Sequence, residues 1–103
     1  MAENVVELND GTFAEHIKEG HCLVDFWAPW CGPCKSQTPI IESIATKMEA
    51  LKVAKLNVED APQTATKFGV MSIPTIIIFK DGQEVKRFVG FQNEDVLLEA
   101  LQA

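Results

Sequence analysis

Short apolar runs alternate along this chain with segments in which apolar residues recur every three or four positions. The apolar runs are typical of buried strands and cover positions 5–8, 22–28, 52–58, 76–79 and 84–89. The segments with helical spacing cover positions 12–20, 34–50, 60–69 and 93–101. This order predicts an α/β fold with a mixed central β-sheet of about five strands, flanked by four helices. The run at 22–28 is apolar on both faces, so we expect it at the centre of the sheet.

Residues near two predicted helix starts match the preferences of helix caps. Thr12 and Glu15 have the spacing of a capping box, in which each side chain bonds the other residue's backbone N–H. Asp60, followed by Pro62 and Gln63, has the same spacing with a proline in the first turn. We therefore predict that Thr12 and Asp60 cap their helices.

Three further features predict local structure in the rest of the chain. Pro39 lies inside the second helix and conflicts with the carbonyl group of Lys35, which predicts a kink. The pair Asp81-Gly82 between two strand-like runs predicts a β-hairpin. Asn93 is predicted to cap the last helix, whose buried face would consist of Val96, Leu97, Ala100 and Leu101.

Two cysteines lie where the predicted central strand gives way to the longest helix, in Trp30-Cys31-Gly32-Pro33-Cys34. The first N–H groups of a helix lack partners and carry the positive end of its dipole, so they stabilise a thiolate, the nucleophilic form of cysteine. Cysteines at this spacing can also close into a disulfide, with Gly32 and Pro33 shaping the turn. The segment therefore predicts a site with two redox states.

Two charged residues fall within strands that are otherwise apolar. By alternation Asp25 points to the same side as Leu23 and Trp27, where desolvation would raise its pKa and make it a proton acceptor near neutral pH. The alternative is an aspartate that reaches solvent or caps a turn. Lys55 in the next strand would be favourable near a carboxylate such as Asp25, or would extend its ammonium group to solvent.

Composition limits the classes of protein to which the chain can belong. Its 103 residues, 47% hydrophobic and 23% charged, suit a single globular domain over 1–103. A net charge of -6 argues against a nucleic-acid partner. The sequence has neither a signal-peptide pattern nor an apolar run of the roughly 20 residues that a membrane span needs. We therefore expect a cytoplasmic protein that does not bind membranes.

Three cysteines without a secretion signal fit a reducing compartment and one reactive pair. Cys22, the third, is expected to be a small buried hydrophobic residue. His16 and His21 lack a second ligand at metal spacing, so we expect no metal site. A zinc module that uses Cys31 and Cys34 is disfavoured because no second Cys-x-x-Cys or His pair completes four ligands.

The ten residues at 26–35, Phe-Trp-Ala-Pro-Trp-Cys-Gly-Pro-Cys-Lys, resemble the active-site segment of the thioredoxin family. The predicted order of elements is also that of the thioredoxin fold, so the resemblance covers essentially the whole chain. It implies that Cys31 is the exposed nucleophile and Cys34 the buried resolving thiol. It further implies that Asp25 is a buried acid with Lys55 as its neighbour.

The resemblance also implies a peptide-binding groove. In the family the proline that matches Pro74 follows a cis peptide bond and faces the disulfide. Trp27 and Pro39 match structural positions, whereas Ser36 and Gln37 occupy places that are often apolar in the family. An extended peptide is expected to pair with backbone beside the proline, in a groove lined by Trp30, Gly32, Pro33, Ile73, Pro74 and Gly90.

The function implied by the resemblance is that of a general protein-disulfide reductase without a bound cofactor. Cys31 would attack client disulfides, and Cys34 would resolve the mixed disulfide with Asp25 as proton acceptor. A thioredoxin reductase, supplied by NADPH or by ferredoxin, would restore the dithiol of a monomeric protein. Two alternatives stay open: a disulfide oxidant or isomerase of the same fold, and a non-enzymatic subunit that holds a partner in the groove. Gly32-Pro33 between the cysteines is typical of the reducing members.

Overall fold

The sheet contains the predicted central strand in its middle. The computed structural model describes residues 4–102. The strands are β1 (Val5–Leu8), β2 (His21–Trp27), β3 (Lys52–Asn57), β4 (Thr75–Lys80) and β5 (Gln83–Val89), in the spatial order β1-β3-β2-β4-β5. Strands β1, β3 and β2 run parallel, while β4 pairs antiparallel with β2 and β5 pairs antiparallel with β4. The predicted mixed sheet and the central place of β2 are confirmed.

Four helices connect and cover the strands, as predicted: α1 (Phe13–Ile17), α2 (Gly32–Lys47), α3 (Pro62–Lys67) and α4 (Glu94–Gln102). Helix α2 begins two residues earlier than the apolar spacing predicts. Cys31 is its N-cap, and Pro33 is tolerated in the first turn because the N–H groups there have no intrahelical partner. The N-terminus of α2 therefore coincides with the cysteine pair.

The core lies in two layers, one on each face of the sheet. On one face, residues of α2 and α4 pack against alternate strand residues, including Leu23, Val53, Ile76 and Ile78. On the other face, α1 and residues flanking α3 pack against Cys22, Val24, Phe26, Ile77 and Phe79. The central strands are thus covered on both sides, as their continuous apolar sequences predict.

The predicted capping box of α1 is wrong. Thr12 is the N-cap, but its side chain makes no capping bond to the helix. Its hydroxyl instead accepts the backbone N–H of Asn9 at 3.0 Å. The preceding turn competes successfully for the hydroxyl, as is common for Ser and Thr.

The predicted cap of α3 by Asp60 is also wrong. Ala61 is the N-cap, and the capping oxygens come from Asp10, in the turn before α1. The Asp10 carboxylate accepts the N–H groups of Gln63 at 3.3 Å and Thr64 at 2.8 Å, and the Thr64 hydroxyl at 2.7 Å. A carboxylate more than fifty positions away in sequence thus takes the role that local spacing assigns to Asp60.

The hairpin between β4 and β5 is confirmed. Asp81 and Gly82 have φ values of 51° and 84°, the positive values that a type I′ turn requires at both central residues.

In α4, Leu97 and Leu101 are buried as predicted, but Val96 is 39% exposed, so its assignment to the buried face is wrong. The kink expected at Pro39 stays a prediction. None of the described helices is long and apolar enough to cross a membrane.

Candidate active site

The cysteine pair lies at the N-terminal end of α2 and forms a disulfide. The Cα atoms of Cys31 and Cys34 are 5.3 Å apart, within the usual range for a disulfide. Cys31 has extended backbone angles as the N-cap, and its Sγ atom accepts the N–H of Cys34 at 3.2 Å. A sulfur atom in this position is held at the positive end of a 16-residue helix, which favours its thiolate once the disulfide is reduced.

Both cysteines are largely shielded from solvent in the disulfide form. Cys31 is 5% exposed and Cys34 is 2% exposed, and they pack with Ala28 in a small cluster that Trp27 and Ile73 border. The expectation that Cys34 is buried is confirmed, whereas the expectation of an exposed Cys31 is wrong for the residue as a whole. Its Sγ atom lies 3.8 Å from the carbonyl oxygen of Ile73, so the loop before β4 covers one side of it.

Asp25 is buried beneath α2, as alternation along β2 predicts. It lies between Leu23, which shares a core layer with residues of the second half of α2, and Trp27, which borders the cysteine cluster. Asp25 is 0% exposed, and neither carboxylate oxygen has a hydrogen-bond partner among the described residues. Desolvation raises the pKa of Asp25 to about 7, against an opposing effect of the positive charge of Lys55.

Lys55 lies beside Asp25 in the sheet but does not form an ion pair with it. Their Cα atoms are register partners on β3 and β2, yet the Lys55 ammonium group lies 4.4 Å from the centre of the Trp27 ring. No ion pair of Lys55 occurs among the described residues. Lys55 therefore influences Asp25 through its charge at a distance, while it is stabilised against the indole face.

Glu7 is a site residue that the sequence analysis missed. It is the register partner of Lys55 on β1, and its carboxylate accepts the indole N–H of Trp27 at 3.3 Å. The negative charge of Glu7 raises the pKa of Asp25, and partial burial raises the pKa of Glu7 itself. Glu7, Lys55 and Asp25 thus occupy matching positions on three adjacent strands.

Among the predicted groove residues, Ile73 lies next to Cys31, and Trp30, Gly32 and Pro33 adjoin the cysteines in sequence. Ile73–Pro74 is a cis peptide bond, as the resemblance implies, and Pro74 is buried while Ile73 is half-buried. The N–H of Gly90 donates to the Pro74 carbonyl at 2.8 Å, which joins the end of β5 to the start of β4. Trp30 is 67% exposed, and its indole N–H donates to Glu59. Gly32 and Pro33 are exposed beside it in the first turn of α2.

Two exposed apolar residues close to these positions were not found from the sequence. Met71 is 95% exposed, two residues before Ile73, and Phe91 is 41% exposed, directly after Gly90. Sequence spacing could not identify them, because exposure of an apolar side chain depends on packing and not on residue type.

Cys22, His16 and His21 lie away from the cysteine pair. Cys22 is buried in the core layer that α1 and the residues flanking α3 cover, and burial raises its pKa to about 11. Among residues 4–102, no group of three or more His, Cys, Asp or Glu side chains could hold a metal ion.

Comparisons with known proteins agree with this geometry. The family model described as "Thioredoxin" matches residues 4–103. A protein named "Thioredoxin" from Staphylococcus haemolyticus is 49% identical over 98 residues, which cover 94% of each chain. Proteins of the same name from Staphylococcus saprophyticus and Staphylococcus aureus (strain Mu50) are 46% and 48% identical, over 95% and 94% of each chain. The chain therefore belongs to the thioredoxin family of thiol-disulfide oxidoreductases.

Proposed function

We propose that this protein-disulfide reductase acts on client proteins through Cys31 as nucleophile and Cys34 as resolving thiol. The observation that carries the proposal is the position of Cys31, whose sulfur atom caps α2 and accepts the N–H of Cys34. That N–H and the helix dipole stabilise negative charge on Cys31. Cys34 lies inside the first turn, where it can reach Cys31 without movement of the fold.

The first step is attack of the Cys31 thiolate on a client disulfide. A bond forms between Cys31 and one client sulfur, the client disulfide breaks, and the second client sulfur leaves as a thiolate that takes up a proton. The product is a mixed disulfide between Cys31 and the client.

In the second step Cys34 resolves the mixed disulfide. The Cys34 thiol gives its proton to the Asp25 carboxylate, and its sulfur attacks Cys31 and releases the remaining client sulfur as a thiolate. That thiolate takes up a proton from solvent, and Asp25 returns its proton to solvent. The protein is then a Cys31–Cys34 disulfide, and the client has gained two electrons and two protons. Asp25 suits the proton transfer because its pKa of about 7 leaves the acceptor form available near neutral pH while it remains basic enough to take the proton.

The groove lined by Trp30, Gly32, Pro33, Ile73, Pro74 and Gly90 binds the client segment around its disulfide. An extended segment pairs with backbone beside Pro74, which positions one client sulfur at Cys31. The exposed indole of Trp30 and the nearby side chains of Met71 and Phe91 supply apolar contact area.

As a member of the thioredoxin family, the protein takes its electrons from an external reductase and works without a bound cofactor. The donor to that reductase is NADPH, and the protein acts as a monomer in the cytoplasm. The free thiol of Cys22 supports the cytoplasmic assignment, because unpaired cysteines are typical of reducing compartments.

Equilibration in thiol/disulfide buffers of graded potential tests the direction of the reaction. Free thiols are counted by alkylation and mass spectrometry at each potential. Cys31 and Cys34 are expected to oxidise together, near or below the potential of the cytosolic thiol pool. A couple that stays reduced until the buffer is far more oxidising would identify a disulfide oxidant or isomerase and refute the reductase assignment.

A further inference from the structure

We infer that Gln37 is a positioning residue that holds the segment 90–92 against the groove and thereby sets the reaction rate of protein clients but not of small disulfides. The inference rests on the client groove proposed above. Gln37 lies in α2, one turn after Cys34, and is 0% exposed.

The side-chain amide of Gln37 makes two hydrogen bonds to the backbone of one residue. Its Nε2 donates to the Gln92 carbonyl at 3.0 Å, and its Oε1 accepts the Gln92 N–H at 2.9 Å. The two bonds fix the orientation of the amide, because the backbone offers one acceptor and one donor. A buried glutamine whose donor and acceptor both bind the same backbone unit holds that unit in one position.

The segment held in this way forms one side of the groove. Gln92 Nε2 donates to the Gly90 carbonyl at 3.4 Å, and the Gly90 N–H donates to the Pro74 carbonyl at 2.8 Å. Phe91, between these residues, is 41% exposed. A continuous series of hydrogen bonds therefore runs from α2 through the segment 90–92 to the residue that follows the cis bond.

This arrangement separates client binding from the chemistry of the cysteines. The hydrogen bonds of Gln37 among the described residues go to Gln92 and to neither sulfur atom, so its loss is expected to leave the N-terminus of α2 and the thiolate unchanged. An extended client segment needs the groove wall in place before its sulfur reaches Cys31, whereas a small disulfide needs only access to Cys31. Release of the segment 90–92 would therefore slow the reduction of protein clients and leave the reduction of small disulfides unchanged.

The test compares the reduction of insulin and of dithiobis(nitrobenzoate) by the full-length reduced protein. Gln37→Leu, which nearly keeps the volume and removes both hydrogen bonds, is expected to lower kcat/KM for insulin about fivefold, the factor that corresponds to the net contribution of a buried hydrogen bond. The rate with dithiobis(nitrobenzoate) should stay unchanged. Thr46→Ala is the matched control, because the hydroxyl of Thr46 on the same helix donates to the Glu42 carbonyl of that helix and not to the segment 90–92.

Gln37→Glu adds a readout that a general loss of packing would not produce. An ionised carboxylate accepts the Gln92 N–H but repels the Gln92 carbonyl, whereas the protonated acid can bond both. The ratio of the insulin rate to the dithiobis(nitrobenzoate) rate is expected to recover towards wild type as the pH falls. Amide hydrogen exchange of Gln92 should be faster in Gln37→Leu and unchanged in Thr46→Ala.

Trp30→Ala separates failure of this inference from failure of the groove itself. If Trp30→Ala lowers the insulin rate and Gln37→Leu does not, the role of Gln37 is refuted and the groove stands. If neither variant changes the ratio of the two rates, the proposed groove is refuted and the inference with it. Equal slowing of both substrates by Gln37→Leu would also overturn the positioning role.

Discussion

Asp25 and Lys55 are register partners on adjacent parallel strands, yet the lysine ammonium group lies over the Trp27 ring and the aspartate has no hydrogen-bond partner among the described residues. The carboxylate is therefore neither paired nor solvated. Its pKa of about 7 results mainly from the loss of hydration on burial. A group held in this state weakens the fold when it is ionised and is suited to take up a proton.

Asp25→Asn should stabilise the oxidised protein at alkaline pH. Native Asp25 binds its proton more tightly than the unfolded chain does, so the free energy of unfolding falls as the pH rises from about 4 to about 7. The variant has no carboxyl group at this position and does not lose stability in this way. The difference in the free energy of unfolding between variant and wild type should therefore grow over the same pH range, to at most about 4 kcal/mol. Urea denaturation at pH 4, 6 and 8 measures it, with Asp95→Asn on the surface of α4 as control. An advantage that does not depend on pH would contradict the assigned pKa.

Glu7→Gln and Lys55→Gln should shift the pH dependence of the resolving step in opposite directions. Removal of the negative charge of Glu7 lowers the pKa of Asp25, and removal of the positive charge of Lys55 raises it. The shift is expected to be larger for Lys55→Gln, on the order of one pH unit, because Lys55 lies on the strand next to that of Asp25, whereas Glu7 lies one strand further away.

Stopped-flow release of client from a preformed mixed disulfide, followed across pH 5 to 9, measures these shifts. Glu99→Gln, on the outer surface of α4, serves as the control for a general change of net charge. Shifts in the same direction, or a profile that neither variant moves, would show that Asp25 does not control the step.

The burial of Asp25 could be predicted from the sequence, because alternation along a strand is a local property. The run around it is apolar on both faces, which indicates a central strand and carries every side chain into a core. The start of α2 at the cysteines could be anticipated for the same reason, since a strand ends and a helical pattern begins there.

The roles of Glu7 and Asp10 could not be predicted in this way. Glu7 meets Lys55 only because β1 pairs with β3 in a particular parallel register, and Asp10 meets α3 only because two distant turns come together. Local spacing favoured Asp60 as the cap of α3, but the tertiary fold brings the Asp10 carboxylate to that position instead. The same applies to Gln37, which the sequence marked as unusual without indicating its partner Gln92.

Cys34→Ser should trap clients as stable mixed disulfides with Cys31. The serine hydroxyl cannot attack a disulfide under these conditions, so the first step proceeds and the second does not. Incubation with oxidised insulin followed by non-reducing electrophoresis should show a covalent adduct that dithiothreitol releases. Cys31→Ser, the matched control, should form none. An adduct that decays as fast as in the wild type would remove the resolving role of Cys34.

Cys22 should resist alkylation in the native reduced protein. Its side chain is 0% exposed and burial raises its pKa to about 11, so at pH 8 very little thiolate is present or accessible. Treatment with iodoacetamide should modify Cys31 within minutes and leave Cys22 unmodified, whereas both should react in urea. Peptide mass spectrometry after timed quenching distinguishes the sites. Rapid native modification of Cys22 would show that the core layer around it opens readily.

Thr64→Val should destabilise the protein through loss of the bond from the Thr64 hydroxyl to Asp10. That hydroxyl donates to the Asp10 carboxylate at 2.7 Å in a part-buried position, so its removal should lower the urea concentration at the midpoint of unfolding at pH 7. The same bond lowers the pKa of Asp10, so its contribution is present above the ordinary pKa of an aspartate and is lost as the pH falls through the lowered one. The difference in stability between variant and wild type should therefore shrink at acidic pH.

Thr66→Val, at an exposed threonine on the same helix, is the control for the change in helix propensity. An equal loss in both variants would mean that Asp10 does not stabilise the start of α3 through this hydroxyl.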